Sequence, residues 1–425
     1  MNAEQFYPYF LQCNKVTIDS RHIAPNDIFF AFSGENFNAA TLAVAAREAG
    51  ALAVIVEQKA YEDLANHIFY TPSTLLFLQD LALLHRKKTD IPVIALTGSN
   101  GKTTTKELIN AVLSQKFNVQ CTTGNLNNHI GVPLTLLSVR KEHEIAVVEM
   151  GANHQKEIEH LCALALPDYG YVTNFGKAHL EGFGGFEGVI AGKSELYQHL
   201  MAYKKTIFIN QSDPVQAEKT SGYVPLVTFG TAASDYHFEA VNTDHFVGLT
   251  YEGMTAMSQL TGSYNFSNLS AAAAIGLHFG VGFSQIKTAI ESYKPTNMRS
   301  QVVVKNGITL VLDTYNANPS SMSESLKNFS TFGGSKTVIM GDMLELGPES
   351  EKEHVAILDL AEHMNFNTVI TVGKHFKATG KSVLAFDDVM QLRDFLSEHP
   401  LQSQNILLKA SRGIALERIL DVFQS

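Results

Sequence analysis

The stretch IPVIALTGSNGKTTTKELINAVL limits the fold of this chain more than any other: an apolar run, a glycine-rich turn from Gly98 to Lys102, then a helix opening on threonines. Glycines let successive N–H groups turn inward, a helix N-terminus adds partial positive charge, and Lys102 supplies a full charge to outer phosphates. Gly98, Ser99, Asn100, Gly101, Lys102, Thr103 and Thr104 therefore form a candidate nucleotide cradle, with the Thr103 hydroxyl placed for magnesium. The spacing Gly-x-x-Gly-Lys-Thr is shorter than the general Walker pattern, which wants a glycine where Leu96 stands. A Gly-Asn turn with a surface lysine is the competing reading; the flanking strand and helix favour a short phosphate loop.

The residues downstream of this loop support a mostly parallel sheet wrapped by helices. Strand-like EIAVVEMG, YGYVTNFG and TIFIN alternate with helical KELINAVLSQKF and KEIEHLCALA. EIAVVEMGA ends in Glu149, where such a fold places a second metal-site acid, since ligands gather at the carboxyl ends of parallel strands. YGYVTNFG runs into GKAHLEGFGGFEG, whose His179 reads either as a solvated loop histidine or as a metal ligand beside Thr103 and Glu149. Residues 225–260 read as antiparallel strands, an insertion or an extension of the sheet before the helix SNLSAAAAIGLHFG. After Pro295 the alternation restarts with a hairpin around Asn306-Gly307 and continues through KTVIMGDM, FNTVITVG and NILLKAS. The expected organisation is α/β in three units: a small N-terminal one over 1–88, a central phosphate-loop unit over 89–296, and a second open α/β unit over 297–425.

With 425 residues, several cores and clefts are expected. The formal charge of -10, from 32 basic and 42 acidic residues, argues against a general electrostatic hold on nucleic acid or an anionic membrane. Cys13, Cys121 and Cys162 lie far apart, which suits a reducing compartment, and no apolar run is long enough to span a membrane. A cytoplasmic location and a monomer are the expectations.

In order along the chain, ALTGSNGKTTT, VVEMGA, NFGKAHLEGFG, IAGKSEL, YNFSNLSAAAA and LDTYNANPSSM resemble the motif series of the Mur ligase family, over nearly the whole length. DTYNANPSSM with VIMGDMLELG, and TTGNLNNHIGVPLTLL, resemble the branch that adds D-alanyl-D-alanine. DSRHIAPNDIFFAFSGENF resembles a UDP-binding N-terminal domain. The resemblance implies a three-domain Mur ligase architecture with a central P-loop ATPase domain and a C-terminal Rossmann-like domain. It also implies ATP-dependent joining of D-alanyl-D-alanine to UDP-N-acetylmuramoyl-tripeptide through an acyl phosphate, with Mg2+. By the same resemblance Lys102, His179 and Lys193 are catalytic, and Lys193 is carried as a carbamate at the metal site with Thr103, Glu149 and His179. Asn265 and Asn268 are implied at the adenine, and Arg299 and Asp313 at phosphate and ribose. Ser20, Arg21, Thr123, Asn125, Asn127 and Asn128 are implied at the UDP precursor.

Each has a plainer reading from the residues alone. Asn265, Asn268 and the Asn125–Asn128 turn read as helix caps, Arg299 and Asp313 as surface ion-pair residues, and Lys193 as an exposed helical lysine near Glu195. The chain departs from relatives after GENF, where it reads NAATLA, and at KASRG, which leaves the uracil pocket and the roles of Lys409 and Arg412 open. The alternatives are a sister ligase such as MurE or folylpolyglutamate synthetase, or a P-loop switch or kinase that makes no amide.

Overall fold

The computed structural model describes residues 1–34, 37–243, 245–295, 298–381 and 384–424. Two expectations touch positions outside that range: the boundary at 296/297, and Glu35 and Asn36 of GENF. The N-terminal sheet is parallel, ordered β1 (Val16–Thr17), β2 (Ile28–Phe30), β3 (Ala53–Val56), β4 (Ile68–Tyr70). Its closing helix Thr74–Lys88 is capped by Ser73, whose hydroxyl accepts from Leu76 N–H.

The central sheet holds β5 (Val93–Thr97), β6 (Val119–Cys121), β7 (Ile145–Glu149), β8 (Tyr169–Val172), β9 (Thr206–Asn210) and β10 (Leu226–Phe229) in the order β10-β9-β8-β5-β7-β6, all parallel. Every residue of β5 and β7 is buried, as expected for unbroken apolar runs covered on both faces. β5 lies between β7 and β8, so the crevice beyond its carboxyl end is the switch point at which such sheets bind ligands. The expectation for 225–260 needs correction: β10 extends the parallel sheet, and the antiparallel part is confined to β11 (Glu239–Asn242), β12 (Val247–Tyr251) and β13 (Met254–Met257).

The last sheet is ordered β14-β15-β19-β16-β17-β18, from β14 (Gln301–Lys305), β15 (Ile308–Asp313), β16 (Lys336–Gly341), β17 (Thr368–Val372), β18 (Leu384–Phe386) and β19 (Asn405–Lys409). Only β14 runs antiparallel, paired to β15 across the expected turn, with Asn306 at φ 48 and Gly307 at φ 79.

The units share packing. One apolar cluster runs from Phe6 and Phe77 through Leu136 and Leu161 to Met322 and Phe329. Helix Thr74–Lys88 belongs to both flanking units. Leu78 and Leu81 are fully buried, each stabilising by roughly 1.5–3 kcal/mol relative to exposure. Gln79 donates to His129 O (2.9 Å), and Arg86 donates to Ala165 O, Leu166 O and Asp168. Among the described residues no helix is long and apolar enough to cross a membrane.

Candidate active site

The loops after β5, β7 and β8 form one wall of a cleft of about 1340 Å³; the other wall comes from the last sheet, through Arg299, Asp313, Asn318 and Lys409. The phosphate loop is held in shape by the protein's own packing and hydrogen bonds. A Cβ at Gly98 (φ +143) would lie 2.0 Å from Thr173 Oγ1, and one at Gly101 (φ +77) 2.7 Å from Asn268 Oδ1, so both positions need glycine for space and for backbone angle. Asn100 is clamped: its N–H donates to Asn174 Oδ1 (3.0 Å), and its carbonyl accepts from Thr173 Oγ1 (2.6 Å) and Asn174 Nδ2 (3.0 Å). The Ser99 hydroxyl donates to Gly176 O (2.9 Å). Lys102 folds back on its own loop, donating to Gly98 O (2.7 Å) and Ser99 O (3.3 Å). Burial pulls its pKa down to about 8; Glu149 opposes that shift and Arg299 adds to it.

Beside the loop, Glu149 Oε1 accepts from Asn127 Nδ2 (2.7 Å) and Thr103 Oγ1 (3.3 Å), while Oε2 is buried with no hydrogen-bond partner. An uncompensated buried carboxylate oxygen next to a hydroxyl is costly alone and is the hard oxygen donor set a magnesium ion takes. The residues therefore fit the ion. His179 does not complete that set here, because its Nδ1 is paired with Glu345 Oε2 from across the cleft. Among the described residues no group of three or more His, Cys, Asp or Glu side chains could hold a metal.

On the far wall, the surface ion-pair reading of Arg299 and Asp313 fails. The Arg299 guanidinium sits 3.7 Å from the centroid of Tyr315, and Asp313 is held by the buried Lys409 at 2.7 Å. Asn265 and Asn268 are buried and do not cap their helix; Asn268 Nδ2 donates to Asn265 Oδ1 (2.7 Å), and its Oδ1 accepts from Thr105 (3.0 Å). Both line the cleft beside Gly101.

Comparison with known proteins agrees with this layout. Residues 96–276 match the Mur ligase middle domain and 298–412 the Mur ligase, glutamate ligase domain. UDP-N-acetylmuramoyl-tripeptide–D-alanyl-D-alanine ligase of Escherichia coli (strain K12) is 35% identical over 426 residues, covering 96% of this chain and 93% of that one. The chain belongs to the Mur ligase family. The enzyme of the same name from Bacillus subtilis (strain 168) is 33% identical, covering 96% and 93%. A crystal structure of MurF from Acinetobacter baumannii superposes with a TM-score of 0.87 at 31% identity, covering 100% and 99% of the two chains. MurF ligase from Thermotoga maritima in complex with ADP gives 0.84 at 28%, covering 98% of each.

In this Mur ligase the exposed-lysine reading of Lys193 is overturned: the side chain is 0% exposed. Its Nζ donates to Ala152 O (3.1 Å) and lies 4.9 Å from the centroid of the Phe183 ring. Burial, and then the charge on Lys102, hold its pKa well below the usual lysine range, which favours the neutral amine. Glu195 is engaged elsewhere, accepting from Lys156 N–H and Glu159 N–H at the start of helix Glu157–Ala165.

The six residues expected at the UDP precursor are not one group. Asn125, Asn127 and Asn128 line the cleft and Thr123 does not. Asn127 serves Glu149, whereas Asn128 Oδ1 accepts from Ile130 N–H and Gly131 N–H, so the capping reading holds for that residue. Ser20 and Arg21 lie in a short turn outside the cleft, with the Arg21 side chain 81% exposed and paired to Asp19. Arg412 also lies outside the lining, 5.8 Å from the Tyr315 ring, whereas Lys409 is within it. Sequence reasoning missed Asn174, Tyr315, Asn318 and Glu345 as site residues. All four sit inside motifs already singled out, NFG, DTYNANP and VIMGDMLELG; the role of Glu345 stayed hidden because its partner His179 is 166 residues away.

Proposed function

We infer that this Mur ligase joins D-alanyl-D-alanine to UDP-N-acetylmuramoyl-tripeptide at the expense of ATP, in peptidoglycan precursor synthesis. The observation that carries the reading is the cleft itself. A phosphate loop on one wall faces Arg299, Asp313 and Lys409 on the other, in a chain that matches ligases of that name nearly end to end. In the reaction a carboxylate oxygen of the tripeptide attacks the γ-phosphorus and ADP leaves. The dipeptide amine then attacks the acyl carbon and phosphate leaves.

The chain's groups meet the demands of those steps by position and charge. Lys102 exchanges the carbonyls of Gly98 and Ser99 for phosphate oxygens, which restores a full charge to an ammonium that burial has weakened. Residues Gly98–Thr104 hold phosphates, Asn265 and Asn268 the adenine, Arg299 the migrating phosphoryl group and Asp313 the ribose. Thr103 and Glu149 would hold Mg2+, with His179 joining once Glu345 releases it, and the ion would offset charge on the transferring phosphoryl oxygens. A carbamate on Lys193, formed by its neutral amine and carbon dioxide, would add a negative group below Ala152 and turn a repelling side chain into an attracting one.

The units over 1–88, 89–296 and 297–425 divide the labour: the first holds the UDP end through Ser20 and Arg21, the second ATP, and the third closes over both. Of the four residues expected at the precursor in the Asn-rich turn, Asn125 in the cleft lining serves it, with Asn127 and Asn128 shaping the turn through Glu149 and the start of the next helix. The chain acts as a cytoplasmic monomer, with no nucleic acid partner. Phosphate release should require ATP, UDP-tripeptide and D-alanyl-D-alanine together. Equal stimulation by lysine or glutamate alone would assign the chain to a sister ligase.

A further inference from the structure

We propose that Asn318 is a positioning residue for phosphoryl transfer: its side-chain amide latches the third unit onto the phosphate loop through Asn100, and so fixes the closed cleft. The inference rests on the ligase reading above and adds to it a residue whose task is registration of the two walls.

The direction of the amide is set by its own helix. Asn318 caps helix Pro319–Ser330, its Oδ1 accepting from Ser321 N–H (2.9 Å) while Ser321 Oγ accepts from Asn318 N–H (3.1 Å). Pro319 fixes the first helical φ. With Oδ1 used in the cap, Nδ2 must face away from the helix, and it donates to Asn100 Oδ1 at 2.7 Å. Asn318 is buried and Asn100 half-buried, and the contact sits at the edge of the cleft that both residues line.

Asn100 is prepared from the other side. Asn174 and Thr173 hold its N–H and carbonyl, which leaves the side chain to cross the cleft. Two residues further into the helix, Ser320 Oγ accepts from Lys177 N–H (2.9 Å), so the start of one helix grips two loops of the central unit. Gly176 makes room: a Cβ there would stand 3.0 Å from Asn100 Nδ2 and 3.2 Å from Ser320 Cβ. The contact joins the loop that carries ATP to the unit that carries Arg299 and Asp313. Losing it leaves each ligand's own contacts in place and loosens their alignment, so the turnover number falls while nucleotide affinity stays.

Asn318→Ser tests this, because serine caps a helix about as well as asparagine but is too short to reach Asn100. The expected result is an unchanged melting temperature and ADP affinity within about twofold. The kcat for dipeptide-dependent phosphate release should drop about tenfold, the usual weight of one hydrogen bond. Asn100→Ala should lose a similar factor and the double variant no more than either single one, since both break the same contact. Wild-type kcat in Asn318→Ser, or losses that multiply in the double variant, would overturn the latch. If the wild-type protein shows no dipeptide-dependent phosphate release, the ligase reading fails instead. Hydrogen exchange at 98–102 with ADP bound then decides the latch: faster exchange in Asn318→Ser supports it and equal exchange overturns it.

Discussion

The carboxyl edges of the central sheet and the last sheet are built alike and left in opposite states. Beyond β5 and β7 lie a glycine loop, a carboxylate oxygen with no donor on Glu149 and a lysine with lowered pKa. Beyond β16 and β17 the corresponding turn is already filled: Asp342, on β16's end, accepts from His375 N–H and Phe376 N–H (2.9 Å each), and a Cβ at Gly373 would lie 2.2 Å from its carboxyl carbon. One fold therefore yields a ligand site where its polar groups are left unsatisfied, and a structural partner where the chain satisfies them itself.

Four measurements put that contrast between the two edges at risk. We predict the largest effect at Lys193. Lys193→Ala should lose about a thousandfold or more in phosphate release and regain part of it with short carboxylic acids, the scale expected when a metal-site charge is deleted. Lys193→Met should melt no lower than the wild type, because it removes a buried amine without emptying its space. Full activity in either variant would take the lysine out of the chemistry.

Glu149→Gln comes next, with a fall of about a hundredfold at fixed magnesium that raised magnesium partly reverses; a response indifferent to magnesium would leave the Oε2 atom unexplained. Third is pH. Lys102 carries its charge only when protonated and its pKa lies at about 8, so kcat/KM should fall about tenfold per unit once pH rises past that value. A profile flat through the alkaline range would show that this lysine keeps its proton in the free enzyme. The smallest catalytic effect is expected at Asp342→Ala. It should cost about 1–3 kcal/mol of stability through two unsatisfied N–H groups, seen as a lower melting temperature, with phosphate release within about twofold at 25 °C. A loss of turnover matching that of Glu149→Gln would mean the two edges are not in opposite states.

What sequence made legible was local. The strand, turn and helix around Gly98–Lys102 lie within two dozen residues, Asn306-Gly307 declares its own turn, and Glu149 closes an apolar run whose length marks its strand. What it hid depends on distant segments. Lys193 looks solvated on a helix whose pattern is weakly two-faced, and its burial comes from the turn carrying Ala152, 41 residues upstream. Asn127 and Asn128 are neighbours of one type with opposite tasks, because only one of them faces β7. Tyr315 gains meaning from Arg299 and Arg412, which flank it only in space.

Helix Thr74–Lys88 also carries a consequence for synthesis. Its outward face is completed by His129, Val139, Ala165 and Asp168, through Gln79, His85 and Arg86. A chain leaving the ribosome at ~5–20 residues per second exposes that face for on the order of 4–16 s before Asp168 emerges. The N-terminal unit is thus made first and finished late, with Gln79, His85 and Arg86 of that helix waiting for partners that have not yet been translated.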